Sequence, residues 1–187
     1  GDPRKYVSMR DGWTNAKTGS WENEKYVCKY YDVASSGSDN DNNWIELRLA
    51  DIYLLYAEAL VRTNGDKQTA VYYVNRIRER ARNTPGDPDI IPAAGLLRDY
   101  TLADFSTPKD LLLAIEKERR VELAFENRRW FDLVRTERAK EVMTAEQKFD
   151  GYSDFTWSDD AMAYPIPMTV MQSNPGKIIQ NKGYTQL

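Results

Sequence analysis

Two helical segments joined by a short turn constrain the fold of this chain more than any other feature. Segment 46–63 is apolar at nearly every position, and its charged residues fall near one stripe at helical spacing: Arg48, Asp51, Glu58 and Arg62. Asn64-Gly65 ends this helix, because glycine tolerates the left-handed conformation that follows a helix C-terminus. Asp66 then caps a second helix, which is predicted over residues 67–82.

This pattern predicts a tetratricopeptide-like helical hairpin within residues 45–84, because helices joined by so short a turn must lie antiparallel. The small side chains of Ala57 and Ala70 permit the close approach that the hairpin needs. A single hairpin cannot bury its outer faces, so we expect partner repeats upstream. The charged stripe is expected to pair within itself at helical spacing: Arg48 with Asp51, and Glu58 with Arg62.

Further helices are predicted over residues 107–142. Thr107-Pro108 is a strong helix start, since threonine is favoured at the N-cap, proline at the first helical position and an acid, here Asp110, at the third. We expect this helix to reach about residue 126, and the charged and aromatic segment 128–135 to form part of the next one.

The apolar stripe of this helix continues through Leu111 and Ile115 into charged positions. Buried charges destabilise a protein unless they are paired. Segment 128–135 supplies opposite charges, which predicts a partly buried ion-pair network that holds two helices at an angle. With the stripe of the first helix, the predicted network comprises Arg48, Asp51, Glu58, Glu118, Arg119, Glu122, Arg129, Asp132 and Arg135.

The two ends of the chain are predicted to be irregular. Residues 1–44 form a loop-rich segment with one short strand within 25–33, and residues 143–187 form a loop-rich tail with a helical turn at 168–172. The whole chain, 1–187, is therefore predicted to be one mainly α domain with long irregular loops.

One polar loop superficially resembles a calcium site. Asp39, Asp41 and Asn43 have the alternating spacing with which a calcium loop begins. Trp44 stands where the loop requires its sixth-position glycine, and Ala50 where it requires the closing glutamate. We therefore expect a solvated loop and no metal site.

The composition argues against several classes of function. The chain has no histidine, so the commonest general base and the usual zinc ligands are missing. Cys28 is the only cysteine, which excludes an internal disulfide, and the net charge of −3 gives no electrostatic footprint for nucleic acid. Glu118 and Glu122 could be a glycosidase acid–base pair, but neighbouring arginines favour ionised carboxylates, so we expect no catalytic residue and no cofactor.

Aromatic side chains in polar loops are the better functional candidates. Sugar rings present apolar faces that lie flat on tryptophan or tyrosine, with nearby polar groups fixing their orientation. The candidate ligand-binding residues are Trp13, Trp21, Tyr152 and Trp157. The alternative is that these rings pin the long loops onto the helices, as we expect of Trp44 and Trp130, which adjoin core helices.

Ordered motifs along the chain resemble those of one protein family. They occupy residues 48–59 and 75–81 in the hairpin, 118–123 and 126–135 in the later helices, and 164–184 at the end. Asp2-Pro3-Arg4 is similar to a further motif, and Asn127 replaces a usual glycine in a position where asparagine is also tolerated. In this combination the chain resembles the C-terminal part of the SusD/RagB-like outer-membrane nutrient-binding lipoproteins.

The resemblance implies a SusD-like α-α superhelix, of which this chain is a portion. It also implies non-catalytic binding of a glycan, or of a peptide or other oligomeric nutrient, together with a SusC-like TonB-dependent outer-membrane transporter. The implied location is the cell surface, through an N-terminal lipid anchor that this chain does not contain. An alternative is a helical-repeat scaffold that contacts protein partners and binds no ligand itself.

Overall fold

Seven helices dominate the part of the chain that the structure, a computed structural model, describes: residues 2–30, 42–83, 97–149 and 156–185. The helices are α1 (Arg4–Ser8), α2 (Leu49–Arg62), α3 (Lys67–Arg82), α4 (Pro108–Glu122), α5 (Arg129–Arg135), α6 (Ala139–Phe149) and α7 (Met168–Ser173). Short 3-10 turns lie at Leu102–Asp104 and Asp159–Met162. The prediction of a mainly α fold is confirmed.

The chain divides into two compact units, residues 1–129 and residues 130–187. The core of the first unit is formed where α2 and α3 pack along each other and against α4. Its buried side chains recur every three or four residues on each helix, which is the spacing that places them on one face: Leu54, Ala57, Val61, Ala70, Val71, Val74, Ile77, Leu111 and Ile115.

The hairpin connection follows the sequence prediction with one difference. Asp66 caps α3, and its carboxylate accepts a hydrogen bond from the Gln68 N–H at 2.8 Å. Asn64, however, takes the left-handed conformation (φ 54°), not Gly65. Gly65 instead donates its N–H to the Leu60 carbonyl at 2.7 Å, and a Cβ there would lie 3.1 Å from the Leu60 side chain. Its small size, not its φ, is what this turn uses.

Helix α4 begins with the predicted capping box. The Thr107 hydroxyl accepts from the Asp110 N–H at 3.2 Å, and the Asp110 carboxylate accepts from the Thr107 N–H at 2.8 Å. The helix ends at Glu122, four residues before the predicted end, and Phe125 (φ 66°) and Asn127 (φ 55°) both adopt left-handed conformations in the turn that follows. The sequence pattern predicts that Phe125 continues the buried stripe. In the structure it is exposed and does not.

The N-terminal segment contains more order than the single strand predicted within 25–33. Strands β1 (Met9–Arg10) and β4 (Tyr26–Val27) pair antiparallel, as do β2 (Trp13–Thr14) and β3 (Trp21–Glu22). Strands of two residues are too short to show the alternation by which a strand is recognised in sequence. The predicted calcium-like loop lies largely outside the described residues, since these omit Asp39 and Asp41.

One face of α2 carries apolar side chains into solvent. Leu49, Ile52 and Tyr56 follow one another at helical spacing and are all exposed, as is Tyr72 on α3. An exposed apolar face of this kind is what we expect if upstream repeats pack against the hairpin. The repeats themselves stay a prediction. In the described parts of the chain, no helix is both long enough and apolar enough to cross a membrane.

The second unit ends in an ordered tail. The side-chain amide of Gln180 accepts from the Ile166 N–H at 2.7 Å and donates to the Ile166 carbonyl at 3.0 Å. A buried glutamine thus pairs with the extended Tyr164-Pro165-Ile166-Pro167 segment as a neighbouring strand would. Helix α6 reaches Phe149, so the tail that was predicted to begin at 143 starts later.

Candidate functional site

Three glutamates lie along one side of α4 and the turn that follows it. Glu118, Glu122 and Glu126 are spaced four residues apart, and all three are buried. Glu126 keeps this alignment although α4 has ended, because the left-handed Phe125 redirects the backbone between them. We call these three residues the carboxylate row.

Arginines from three other parts of the first unit surround the row: α1, the N-cap of α2, and α3. The Glu118 carboxylate accepts from Arg4 at 2.5 Å and from Arg78 at 2.8 Å. Glu122 accepts from Arg48 at 2.6 Å and from Arg80 at 2.5 Å, and it lies 3.3 Å from Arg4. Each buried charge is thereby compensated.

The last carboxylate of the row, Glu126, is held by Arg48 and Lys29. Arg48 donates to its two oxygens at 2.8 and 2.9 Å, and Lys29 donates at 2.5 Å. Burial alone would raise the pKa of Glu126, but the hydrogen bonds and charges of Arg48 and Lys29 outweigh it and hold the pKa below its ordinary value. The same balance, with Arg4 as the partner, holds the pKa of Asp2 below its ordinary value.

The partners of the carboxylate row differ from those predicted. The sequence assigned Glu118 and Glu122 to segment 128–135, whereas the structure pairs them with residues of α1, α3 and the N-cap of α2. Pairs between residues so far apart in the chain cannot be predicted from the spacing of charges along one helix. The residues that the prediction missed are Arg4, Lys29, Arg78, Arg80 and Glu126.

The predicted pairing of Arg48 with Asp51 is wrong. Arg48 is the N-cap of α2 and has an extended backbone, so the i,i+3 geometry of a helix does not apply to it. It reaches the carboxylate row instead, and Asp51 lies 2.8 Å from the Arg119 guanidinium. Within α2, Glu58 does pair with Arg62, at 2.6 Å.

The remaining members of the predicted network also have charged partners. Arg129 lies 3.0 Å from Glu116 in the first unit. In the second unit Asp132 accepts from Arg135 at 2.9 Å, within α5.

A polar cavity of about 330 Å³ lies beside the first carboxylate of the row. The Arg78 guanidinium stacks over the Tyr100 ring at 4.0 Å and also donates to the Arg98 carbonyl. Asp2, Arg4 and Glu118 line the other side, and their charges already pair with one another. The two carboxylates of the lining are therefore already paired with arginines of the same lining.

Among the candidate ligand-binding residues, Trp13 and Trp21 lie on the two-stranded β2–β3 ribbon. Trp13 is opposite Glu22 and Thr14 is opposite Trp21, so the two indoles project to opposite faces. Trp13 packs edge-on against Tyr26, with ring centroids 5.8 Å apart. The indoles of Trp13 and Trp21 therefore cannot form one flat platform.

Trp21 is the more open of the two. Its side chain is 62% exposed, against 38% for Trp13. Its indole lies close over Gly12, where a Cβ would come within 2.6 Å of the ring. The lack of a side chain at Gly12 thus makes room for the indole, which contacts the chain there.

The other two candidates belong to the second unit. The half-buried Trp157 donates its ring N–H to the Asp159 carboxylate at 2.6 Å, and its ring lies 6.4 Å from that of Trp130, tilted by 40°. Tyr152 lies outside the described residues. Trp44, expected to be a packing residue, is 50% exposed and stacks on Tyr30 with ring planes 12° apart.

Glu118 and Glu122 are not placed as a general acid would be. A general acid must hold a proton near neutral pH, whereas both oxygens of Glu118 and of Glu122 accept hydrogen bonds from guanidinium groups. Across the described ranges, no three acidic or cysteine side chains are grouped so that they could hold a metal ion.

Comparison with known proteins decides the family. The profile of the SusD family matches residues 4–184. The chain belongs to the SusD family. Two SusD-like proteins of Formosa agariphila are 40% and 32% identical to it over 98% and 87% of its length. The chain spans about a third of the length of these two relatives.

Solved structures of SusD-like proteins share the fold. A SusD homologue of Bacteroides thetaiotaomicron superposes on 98% of this chain, and on 41% of its own, with a TM-score of 0.72 at 22% identity. A laminarin-binding SusD-like protein does so with a TM-score of 0.61 at 27% identity, over 98% of this chain and 35% of its own. The motifs noted in the sequence include Arg4, Arg78 and Arg80, the residues that compensate the carboxylate row.

Proposed function

We propose that this SusD-family chain contributes to non-catalytic binding of a glycan, with the exposed indole of Trp21 as its main stacking surface. The observation that carries the proposal is the combination of SusD-family membership with the exposed Trp21, whose ring lies next to Gly12. A SusD-like protein of the same fold is known as laminarin-binding, which supports a glycan as the class of ligand.

The wider role follows from the same family. In the whole protein, the bound glycan would pass to a SusC-like TonB-dependent transporter at the bacterial outer membrane, for uptake. A surface-exposed lipoprotein would be held there by an N-terminal lipid anchor, and no helix of the described residues would need to cross the membrane. A peptide or another oligomeric nutrient is the competing ligand class.

The test is a calorimetric titration with laminarin, amylopectin and a soluble pectin, repeated with Trp21→Ala. We expect the variant to lose about 2 kcal/mol of binding free energy, roughly 30-fold in affinity, because a central tryptophan usually dominates an interface. Trp44→Ala is the matched control, since Trp44 is comparably exposed but stacks on Tyr30. Equal losses of binding free energy in both variants would show that Trp21 is not the main stacking surface.

The second candidate is a helical-repeat scaffold that binds protein partners alone. The exposed apolar face of α2, with Leu49, Ile52 and Tyr56, is the observation that favours it. This candidate predicts no saturable heat signal with any glycan, together with a stable complex with the transporter. In the proposed function the two roles coexist.

A further inference from the structure

The segment that carries Trp13 and Trp21 lacks an apolar core of its own. We call residues 9–27, which contain strands β1 to β4, the aromatic ribbon. Within the ribbon only Gly12 is buried, so no apolar side chain there is enclosed. Its strands are two residues long, and an isolated two-stranded ladder is marginally stable in water. Contacts with other parts of the chain must therefore hold the ribbon in position.

One end of the ribbon is fixed by Lys29, two residues after β4. The Lys29 ammonium donates to the Glu122 carbonyl at 3.0 Å, the Ala124 carbonyl at 2.9 Å and the Glu126 carboxylate at 2.5 Å. An ammonium group has three N–H donors, and each has an acceptor here. These acceptors lie at the C-terminal end of α4, where the helix dipole also favours a positive charge.

The other end is fixed by Arg4, five residues before β1. Its guanidinium donates to Glu118 at 2.5 Å, and Asp2 accepts from the same guanidinium at 2.5 and 2.9 Å. Between the two anchors, the Cys28 N–H donates to the Ser8 carbonyl at 2.9 Å, which closes the base of the ribbon. Both anchors thus converge on the carboxylate row.

We propose that Lys29 is a positioning residue for glycan binding by the aromatic ribbon, with Arg4 as its counterpart at the other end. This inference rests on the proposed function. Lys29 does not touch the ligand; it keeps the ribbon in the arrangement that presents Trp21. Without it the ribbon samples other arrangements, and the apparent affinity falls by the fraction of molecules in the competent one.

The experiment compares Lys29→Met with Lys5→Met. Methionine keeps the length of the side chain and removes the charge. Lys5 is the control for an exposed contact to the ribbon, because its ammonium pairs with Asp11 at 2.8 Å and lies 5.3 Å from the Tyr6 ring, and exposed ion pairs contribute little. We expect Lys29→Met to bind laminarin roughly tenfold more weakly, if a tenth of the ribbon stays competent, and Lys5→Met to bind as the unaltered chain does. Unchanged affinity in Lys29→Met would overturn the proposal.

Two further measurements separate positioning from mere stability. Amide hydrogen exchange of Lys29→Met should accelerate within 9–27 and stay unchanged in α2 and α3; uniform acceleration would overturn the proposal. In a double-mutant cycle, Trp21→Ala should cost the same in both backgrounds, because the competent fraction multiplies the affinity with or without the indole; a clearly different cost in the Lys29→Met background would overturn the proposal.

A second variant tests the same contact without changing Lys29. Glu126→Gln removes the charge that Lys29 faces but leaves both backbone carbonyl acceptors in place, so the ribbon should again exchange faster and bind more weakly. If the unaltered chain binds no glycan, the proposed function fails. The exchange comparison still tests the anchoring, because it needs no ligand.

Discussion

At the scale of single residues, buried ionised carboxylates give the most definite consequences. Glu126 has a pKa below its ordinary value in the folded chain, whereas in the unfolded chain it titrates at that ordinary value. A group whose pKa is lowered by folding stabilises the fold above the unfolded pKa, and this contribution is lost as the pH falls through the folded pKa. Stability should therefore decline in acid, and Glu126 should account for part of that decline.

Glu126→Gln tests this expectation. Removing one partner of a fully buried ion pair costs about 3–5 kcal/mol; since Arg48 and Lys29 are partly exposed, we expect about 2–4 kcal/mol at neutral pH. Below the folded pKa the difference between the variant and the unaltered chain should shrink. The measurement is urea unfolding at neutral and acidic pH.

The control for that measurement is Glu79→Gln. Glu79 pairs with Arg76 on the surface of α3, at 2.8 Å. Such exposed pairs contribute little, about 0–1 kcal/mol. A pH-independent loss in Glu126→Gln, or an equal loss in the control, would contradict the assigned role of the carboxylate row.

At the scale of elements, α2 has one buried face and one face turned to solvent. Leu54 is fully buried in the hairpin core, whereas Ile52 is 44% exposed. We expect Leu54→Ala to lower the free energy of unfolding by about 2–5 kcal/mol through lost burial and a residual cavity. Ile52→Ala should lower it by less than about 1 kcal/mol, because nearly half of the Ile52 surface is already in water. Similar losses in urea unfolding would show that the face with Ile52 is covered in solution.

The same elements show what sequence could and could not predict. Helix α3 has the predicted bounds, and the caps at Asp66 and Thr107 were predictable because they depend on neighbours two or three residues away. The ladder pairs of the ribbon and the anchors at Arg4 and Lys29 were not, because they join residues far apart in the chain. For Trp21, sequence indicated a polar loop, but only the fold shows that Gly12 lies behind its ring.

At the scale of the whole molecule, the carboxylate row joins scaffold and candidate site. The row pairs both with cations of the hairpin region, Arg48, Arg78 and Arg80, and with the anchors of the aromatic ribbon. The charged contacts of the row are thus architectural, and they position the aromatic ribbon that carries the proposed stacking residue. The chain spans about a third of its SusD-like relatives, so the whole protein can add further ligand contacts.

The central claim is that this SusD-family chain binds a glycan and does not transform it. The most direct measurement is calorimetric titration of the folded chain with laminarin, amylopectin and pectin, followed by chromatography of each sugar after prolonged incubation. We predict saturable binding of at least one glycan, with its chain length unchanged. Shortened products, or the absence of binding to all three by a chain whose helical circular dichroism is intact, would contradict the account.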